Sequence, residues 1–330
     1  MTLAVVTGAY GFIGSAVTRR LVQEGFNVRT LARASTARRN LAEIDCETIL
    51  GDLRDPEAVT RLMRGAEILF HVAADYRLWA PNPNEIRQNN LTTTQNVMNA
   101  ALAAGVERVV YTSSVAALKP PDTPIPSDET ASIREADAVG AYKQSKVAAQ
   151  DLVERMVREQ GLQAVIVNPT APLGPGDIRP TPTGRVVVEA ASGRMPAFVD
   201  TGLNLVHVDD VAAGHLAAFR QGRIGERYIL GGENISLAQM LADIASLVGR
   251  RAPRLSLSPG MVMPVAFAAE AIARITGREP FVSLDALRMS RYKMYYSSTK
   301  AENELGYHAR PYHEALVEAV AWFRSVGYLR

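Results

Sequence analysis

Apolar residues along this chain fall into two alternating textures. Short runs rich in β-branched residues, "LAVVTG", "NVRTLA", "CETILG", "ILFHVA", "RVVYTS" and "AVIVNP", are separated by stretches with helical spacing or turn residues. Near-continuous apolar runs bounded by turns read as strands buried on both faces, and the intervening helical patterns read as crossovers. Repetition of that unit predicts a parallel sheet with helices on both faces, because a crossover must carry the chain back before the next parallel strand begins. Six strands are spent by Pro169. Beyond it come Pro/Gly-rich connections in "APLGPGDIRPTPTGR", a strand-like return "LNLVHVDDV", a helix and a further strand "RYILGG". From about Asn234 the pattern is mostly helical. The expected organisation is a larger lobe over 1–170 plus 204–232, closed by a smaller, discontinuous lobe over 171–203 plus 233–330.

The 330 residues are 47% hydrophobic and 21% charged, with a formal net charge of +2. Those values fit a folded globular protein with a sizeable core and exclude disordered and fibrous classes. The basic cluster "ARASTARRN", with Arg33, Arg38 and Arg39, is too short for a nucleic-acid surface and reads as a small anion site. The single cysteine, Cys46, leaves no disulfide framework or thiolate-rich metal site and suits a reducing compartment; it reads as a small hydrophobe in a strand. The N-terminal "LAVVTGAYGFIG" lacks the charged region, long apolar run and cleavage site of a signal peptide, so a cytoplasmic address is expected. No apolar run of about 18 residues is uninterrupted. The nearest, "MVMPVAFAAEAIARITG", is broken by Pro264, Glu270 and Arg274 and reads as an amphipathic or buried helix. The five histidines are scattered, without ligand spacing, so no metal is expected. His207, beside Asp209 and Asp210, reads as a structural hydrogen-bonding group.

Residues with chemical potential gather where strands end. "VVTGAYGFIGSAVTRRL" places Gly8, Gly11 and Gly14 between the first strand and first helix, where backbone amides at a helix N-terminus meet a pyrophosphate. With Tyr10, Phe12 and Ile13 they form a candidate phosphate loop, spaced G-x-x-G-x-x-G rather than G-x-G-x-x-G. The adenosine ribose of a dinucleotide is read about 20 residues further on. There the second strand ends in Ala32 and Arg33, without a carboxylate and with Arg38 nearby. A guanidinium grips a 2′-phosphate through paired charge-assisted bonds but finds no charge on a hydroxyl, so NADP is expected over NAD. The competing reading makes Arg33 a solvated loop residue. Asp52 in "GDLRD", with Leu53 beside it, ends the third strand where an adenine amino group would be met; turn capping is the alternative.

Tyr142 and Lys146 in "AYKQSKVAAQ" are one helical turn apart, but Tyr296 and Lys300 in "YSSTK" repeat the spacing. Position separates them. The first pair follows the fifth strand, which ends in Ser113 and Ser114, and both elements deliver side chains to the ligand edge; the second pair falls after the last strand.

This combination resembles the extended short-chain dehydrogenase/reductase superfamily, in which a glycine loop, a strand-end Asp, a Ser and a Tyr-x-x-x-Lys occur in this order. The words "FHVAADYRLWAP", "YTSSVA", "PTPTGR", "GRMPAFVDTGLNLVHVDDVAAGH" and "YILGGEN" are similar to the group named hopanoid-associated sugar epimerases, relatives of dihydroflavonol 4-reductase-like proteins. The resemblance implies a Rossmann-type, doubly wound parallel α/β sheet with a smaller, mostly helical C-terminal substrate lobe. It implies that Tyr142 is the general acid/base, that Lys146 lowers its pKa and holds the nicotinamide ribose, and that Ser114 binds the carbonyl or hydroxyl transformed. Cofactor contacts are further implied for Ala73, Ala74, Asn90, Asn168, Pro169 and Thr170. After Asn90, "LTTT" departs from the usual Val-x-Gly-Thr, and helix capping is the alternative role.

Three functions follow. An NADPH-dependent reductase would act on a ketone or aldehyde; a sugar (nucleotide) epimerase using NAD(P), linked to hopanoid biosynthesis, would return the hydride to the other face; a cofactor-sensing protein would have lost the chemistry. The intact Ser114, Tyr142 and Lys146 disfavour the sensor, and Arg33 speaks for net reduction. The expected partner is a small carbonyl compound, a sugar or a sugar-linked lipid, enclosed by Tyr76, Trp79, the "PLGPGDIRPTPTGR" loop and the C-terminal helices. Arg179 and Arg185 either meet a diphosphate there or are ordinary surface arginines. A homodimer is the superfamily expectation.

Overall fold

A computed structural model describes residues 2–37 and 39–329. The six expected strands form as β1 (Leu3–Thr7), β2 (Asn27–Ala32), β3 (Glu47–Leu50), β4 (Ile68–His71), β5 (Arg108–Thr112) and β6 (Ala164–Pro169). With them come α1 (Phe12–Gln23), α2 (Pro56–Met63), α3 (Pro83–Ala103) and α4 (Gly140–Gln160). Next are β7 (Ala171–Leu173), α5 (Pro182–Ala191), β8 (Ala197–Val199), β9 (Gly202–His207), α6 (Val208–Gln221), β10 (Arg227–Leu230) and β11 (Glu233–Ser236). The chain continues through α7 (Leu237–Leu247), β12 (Leu255–Leu257), α8 (Pro259–Thr276), α9 (Leu284–Met289), β13 (Lys293–Met294), α10 (Thr299–Leu305) and α11 (Tyr312–Ser325).

Seven strands make one parallel sheet in the order β10-β6-β5-β4-β1-β2-β3. Alternation along each strand divides its side chains between two layers. Val5, Leu69, Val109 and Ile166 pack with α2, α3 and α4, whereas Val6, Phe70, Val110 and Val167 pack with α1 and α6. Each large apolar side chain buried this way contributes about 1.5–3 kcal/mol, so a continuous apolar strand is stable only between two helical layers. Local signals set the helix starts. Asp55 accepts from the Glu57 amide ahead of Pro56, and Asn82 accepts from the Asn84 amide ahead of Pro83.

The strand-like return near residue 204 does not enter this sheet. β9 pairs antiparallel with β11 and parallel with β7 and β13, forming a second sheet. Gly232 permits that pairing by close approach, since a Cβ there would lie 2.3 Å from the Leu205 carbonyl oxygen. The chain rejoins the larger lobe only at Val208, where α6 packs beside α1, and β10 then closes the edge against β6. A separate cluster around Leu173, Val187, Leu316 and Phe323 forms the core of the smaller lobe, which is helical around the small sheet.

Candidate active site

The glycine loop joins β1 to α1. Gly8 has φ +70°, and a Cβ there would stand 2.7 Å from the Ala73 Cα, while a Cβ on Gly14 would stand 2.0 Å from the Gly8 carbonyl oxygen. Gly8 thus lets the chain after β4 press against the loop, and Gly14 lets α1 begin directly over it. Gly11 caps α1 with no side-chain bond to the first amides. Those amides are the donors a pyrophosphate requires. Thr7 accepts from the Val72 and Ala73 amides at 3.1 and 3.2 Å, fixing the Ala73–Ala74 segment. Tyr10 bonds to Thr48 at 2.7 Å through its hydroxyl, and Phe12 and Ile13 pack on the core, so these three shape the loop from beneath.

Arg33 follows β2 directly and is exposed. Arg38 lies outside the described residues. Asp52 follows β3, but Arg54 holds both its oxygens, at 2.8 and 3.0 Å, and the Arg54 amide donates to it as well. That hydrogen bonding, with Arg54 and Arg33 charges adding, keeps the Asp52 carboxyl below its ordinary range. The turn role weighed for Asp52 is therefore present, alongside its position at the ligand edge. Leu53 is half-buried, and its carbonyl accepts from Asn96 at 3.1 Å.

Ser114, Tyr142 and Lys146 come together from the β5 end and α4. Ser114 opens a short 3-10 turn and accepts from the Ala116 amide at 3.1 Å. Burial raises the Tyr142 pKa, partly opposed by a hydrogen bond with the Ser114 side chain. Lys146 is buried, donates to the Thr112 carbonyl at 3.0 Å, and is pulled down to about 8 by burial. In this arrangement burial outweighs the Ser114 hydrogen bond at the Tyr142 phenol, and the Lys146 ammonium is bonded to a carbonyl. Below them His71 stacks on Tyr111 at 5.8 Å and is held neutral, its pKa lowered to about 3 by burial and the Lys146 charge.

The second Tyr–Lys word behaves differently. Tyr296 precedes α10 and donates to the Val115 carbonyl at 3.4 Å, while Lys300 pairs with Glu226 at 2.6 Å over the Tyr228 ring. His207 accepts from the Asp209 amide at 3.0 Å and meets Glu318 at 3.1 Å, the structural role expected for it.

A buried polar scaffold ties the ends of β4, β5 and β6 to α4. Asn90 accepts from the Asp75 amide at 2.6 Å and donates to the Asp75 carbonyl and Ser145 hydroxyl at 2.9 and 2.8 Å. Its amide therefore ties the chain after β4 to α4 instead of capping a helix or standing free. Gln150 accepts from Ser113 at 2.7 Å and from Asn168 at 2.9 Å, and Asn168 also donates to the Ser114 carbonyl at 2.9 Å. Beside Pro169, the buried Asn168 Oδ1 and Thr170 Oγ1 have no hydrogen-bond partner among the described residues. Buried polar atoms demand partners, and a carboxamide-bearing ring such as nicotinamide supplies them, so these residues fit that group.

Gln150 was missed in the sequence although it lies one further turn past Lys146, on the face of α4 that carries Tyr142 and Lys146. Asn40 had no such signal: its amide donates to the Gly176 and Tyr10 carbonyls at 2.8 and 3.3 Å, joining the loop after β7 to the glycine loop. Tyr76, after β4, reaches the Arg179 carbonyl at 3.5 Å, and Arg185, in α5, pairs with Glu279 at 2.8 Å. Asp177 accepts from the Thr181 amide and hydroxyl, and burial raises its carboxyl to about 6.

The family profile described as "NAD dependent epimerase/dehydratase family" matches residues 4–231. A putative dihydroflavonol 4-reductase of Synechocystis sp. is 41% identical over 329 residues, covering 98% of this chain and 95% of the relative. Sterol demethylase protein B of Methylococcus capsulatus is 33% identical over 328 residues, with 98% of each chain covered. The crystal structure of gox2253 matches with a TM-score of 0.90 and 48% identity, over 100% of this chain and 99% of that one.

Proposed function

The chain belongs to the NAD dependent epimerase/dehydratase family, and we propose that within it this enzyme is an NADPH-dependent reductase of a carbonyl group. The observation that carries the reading is the full-length likeness to a relative named a dihydroflavonol 4-reductase, with Tyr142 a buried phenol hydrogen-bonded to Ser114 that can give its proton to an oxygen. A carbonyl oxygen gains negative charge as its carbon is reduced and needs an acid beside it, whereas removing a proton from an alcohol would need a ready base.

When bound, NADPH supplies the hydride added to the carbonyl carbon. Ser114 donates its hydroxyl hydrogen to the substrate oxygen and holds that oxygen beside Tyr142. Tyr142 transfers its phenolic proton to the oxygen, completing the alcohol. Lys146, one turn along α4, supplies the positive charge that favours the phenolate left behind. Gly8, Gly11 and Gly14 receive the pyrophosphate on the α1 amides, and Asn168 and Thr170 meet the nicotinamide.

Arg33 supports NADPH because it ends β2 exposed to solvent, while Asp52, the nearby acid that would repel a 2′-phosphate, is neutralised by Arg54. Relatives named for a dihydroflavonol and a sterol support an apolar, ring-bearing carbonyl compound as substrate.

The testing experiment identifies any nucleotide that purifies with the protein, titrates NADPH against NADH, and then follows NADPH consumption on a panel of ring-bearing ketones. Exchangeable NADPH and stoichiometric oxidation are expected. Tightly held NAD+ that survives turnover unchanged would overturn the reading in favour of an epimerase.

A further inference from the structure

Helix α8 is built inside out. Met261, Val265, Ala268, Ile272 and Ile275 recur at steps of four and three residues, which sets them in one stripe. That stripe faces solvent, with Met261, Ile272 and Ile275 exposed by 69, 61 and 86%. The buried residues of the helix are Ala266, Ala269 and Ala273. A helix that served only to cover a core would place its large apolar residues inward and its small ones outward. Exposed apolar residues also flank the helix in sequence, Leu255 on β12 before it and Phe281, 78% exposed, after it.

The chain through and beside this helix is rich in cations. Residues 250–281 contain Arg250, Arg251, Arg254, Arg274 and Arg278 but only two acids, Glu270 and Glu279. Both acids are engaged: Glu270 accepts from the Leu284 amide at 2.8 Å and lies 3.9 Å from Arg274, and Glu279 pairs with Arg185 at 2.8 Å, leaving Arg250, Arg251, Arg254 and Arg278 in excess. The helix is joined through α9 to the helix that carries Tyr142. The chain doubles back from α8 into α9, where Asp285 is packed so tightly on Gly140 that a Cβ there would lie 2.7 Å from its carboxylate. Gly140 opens the helix that carries Tyr142.

We propose that the exposed face of α8 docks in the interface of an anionic phospholipid bilayer, with the helix lying in the membrane plane and its flanking arginines among the headgroups. An apolar face bordered by arginine is what such a surface binds. The contact is superficial, since no helix among the described residues is long and apolar enough to cross a membrane. A second copy of the chain is a poorer occupant, because a two-fold contact sets equivalent surfaces together and would bring the same arginine rim against itself. The docked helix would hold the cleft beside the bilayer, where an apolar substrate is concentrated. The surface is independent of the direction of the chemistry, so it is tested without turnover.

The full chain is floated with vesicles of phosphatidylcholine, or of phosphatidylcholine and phosphatidylglycerol in equal parts. Flotation is expected with the mixed vesicles, roughly ten-fold above that with phosphatidylcholine alone, and should weaken in high salt. The double variant Ile272→Glu/Ile275→Glu should keep its circular dichroism and melting temperature, because both positions are exposed, and lose flotation by roughly ten-fold or more. Arg251→Glu/Arg254→Glu should weaken only the phosphatidylglycerol-dependent part. A wild-type chain that floats with neither vesicle, or a folded glutamate variant that floats like wild type, overturns the proposal. So does light scattering that shows a wild-type dimer, without flotation, which the glutamate variant converts to a monomer.

Discussion

Tyr142 and Lys146 share α4, so the spacing of their numbers becomes adjacency in space, and both leave the helix toward the β5 end. Tyr296 and Lys300 carry the same spacing across a helix boundary: α10 starts at Thr299, Tyr296 reaches the Val115 carbonyl, and Lys300 reaches Glu226. A four-residue interval pairs side chains only where both residues belong to one helix. Burial then separates the two lysines further. Lys146 is enclosed with a carbonyl as its partner and loses basicity, whereas Lys300 faces a carboxylate at the surface.

Substitution at the two tyrosines is the strongest way to break this contrast. Tyr142→Phe should lower kcat about 10²–10⁴-fold, the usual loss for a positioned acid, and leave NADPH affinity within a few-fold. Tyr296→Phe should leave kcat within a few-fold. Equal losses in stopped-flow assays of both variants would erase the distinction.

The lysines sharpen the contrast through pH. Burial lowers Lys146 from 10.5 to about 8, so between those values the unfolded chain binds more protons than the folded one, and stability rises with pH. Below about 8 both states carry the charge and the fold bears its burial in full. Lys146→Met should flatten the rise in urea midpoint between pH 8 and pH 10 relative to wild type, and hold or raise the midpoint at pH 7, while reducing kcat by about ten-fold or more. Lys143, also drawn to about 8, remains in both proteins and drops out of the difference.

Arg33→Ala is expected to raise the Kd for NADPH about 10- to 100-fold, the scale of losing a charged hydrogen-bonded pair, with NADH unchanged. Fluorescence titration of both nucleotides checks it, and an unaltered preference would assign NAD. The smallest effects belong to the second word. Lys300→Met removes a half-buried ion pair and Tyr296→Phe a single long hydrogen bond, each costing about 1 kcal/mol in thermal melts.

What could be read from the residues was whatever depends on local periodicity and local backbone. The strands, the glycine turn and the Tyr142–Lys146 face all follow from repeats of two or four positions and from glycines in tight places. Pairing partners are not local, which is why β9 reads as a strand yet joins the second sheet. Buried polar bonding is equally non-local. The Asn90 bonds to Asp75 and Ser145 join residues far apart in the chain, and Asn40 acquires its role only when the loop carrying Gly176 folds over it. Gln150 is the intermediate case, legible by helical spacing in "AYKQSKVAAQ" although the partners that give it meaning lie on β6 and beyond β5.

The contact between Tyr296 and the turn beginning at Ser114 also has a consequence in time. Its two residues are 181 positions apart. At about 5–20 residues per second, a ribosome completes the brace roughly ten to forty seconds after Val115 is made. Throughout that interval a nascent chain already holds Ser114, and for most of it Tyr142 and Lys146, yet lacks the strut beneath the turn. Chains that stall or are clipped before Tyr296 would carry Ser114, Tyr142 and Lys146 without this contact, whose hydrogen bond is worth about 1 kcal/mol or less.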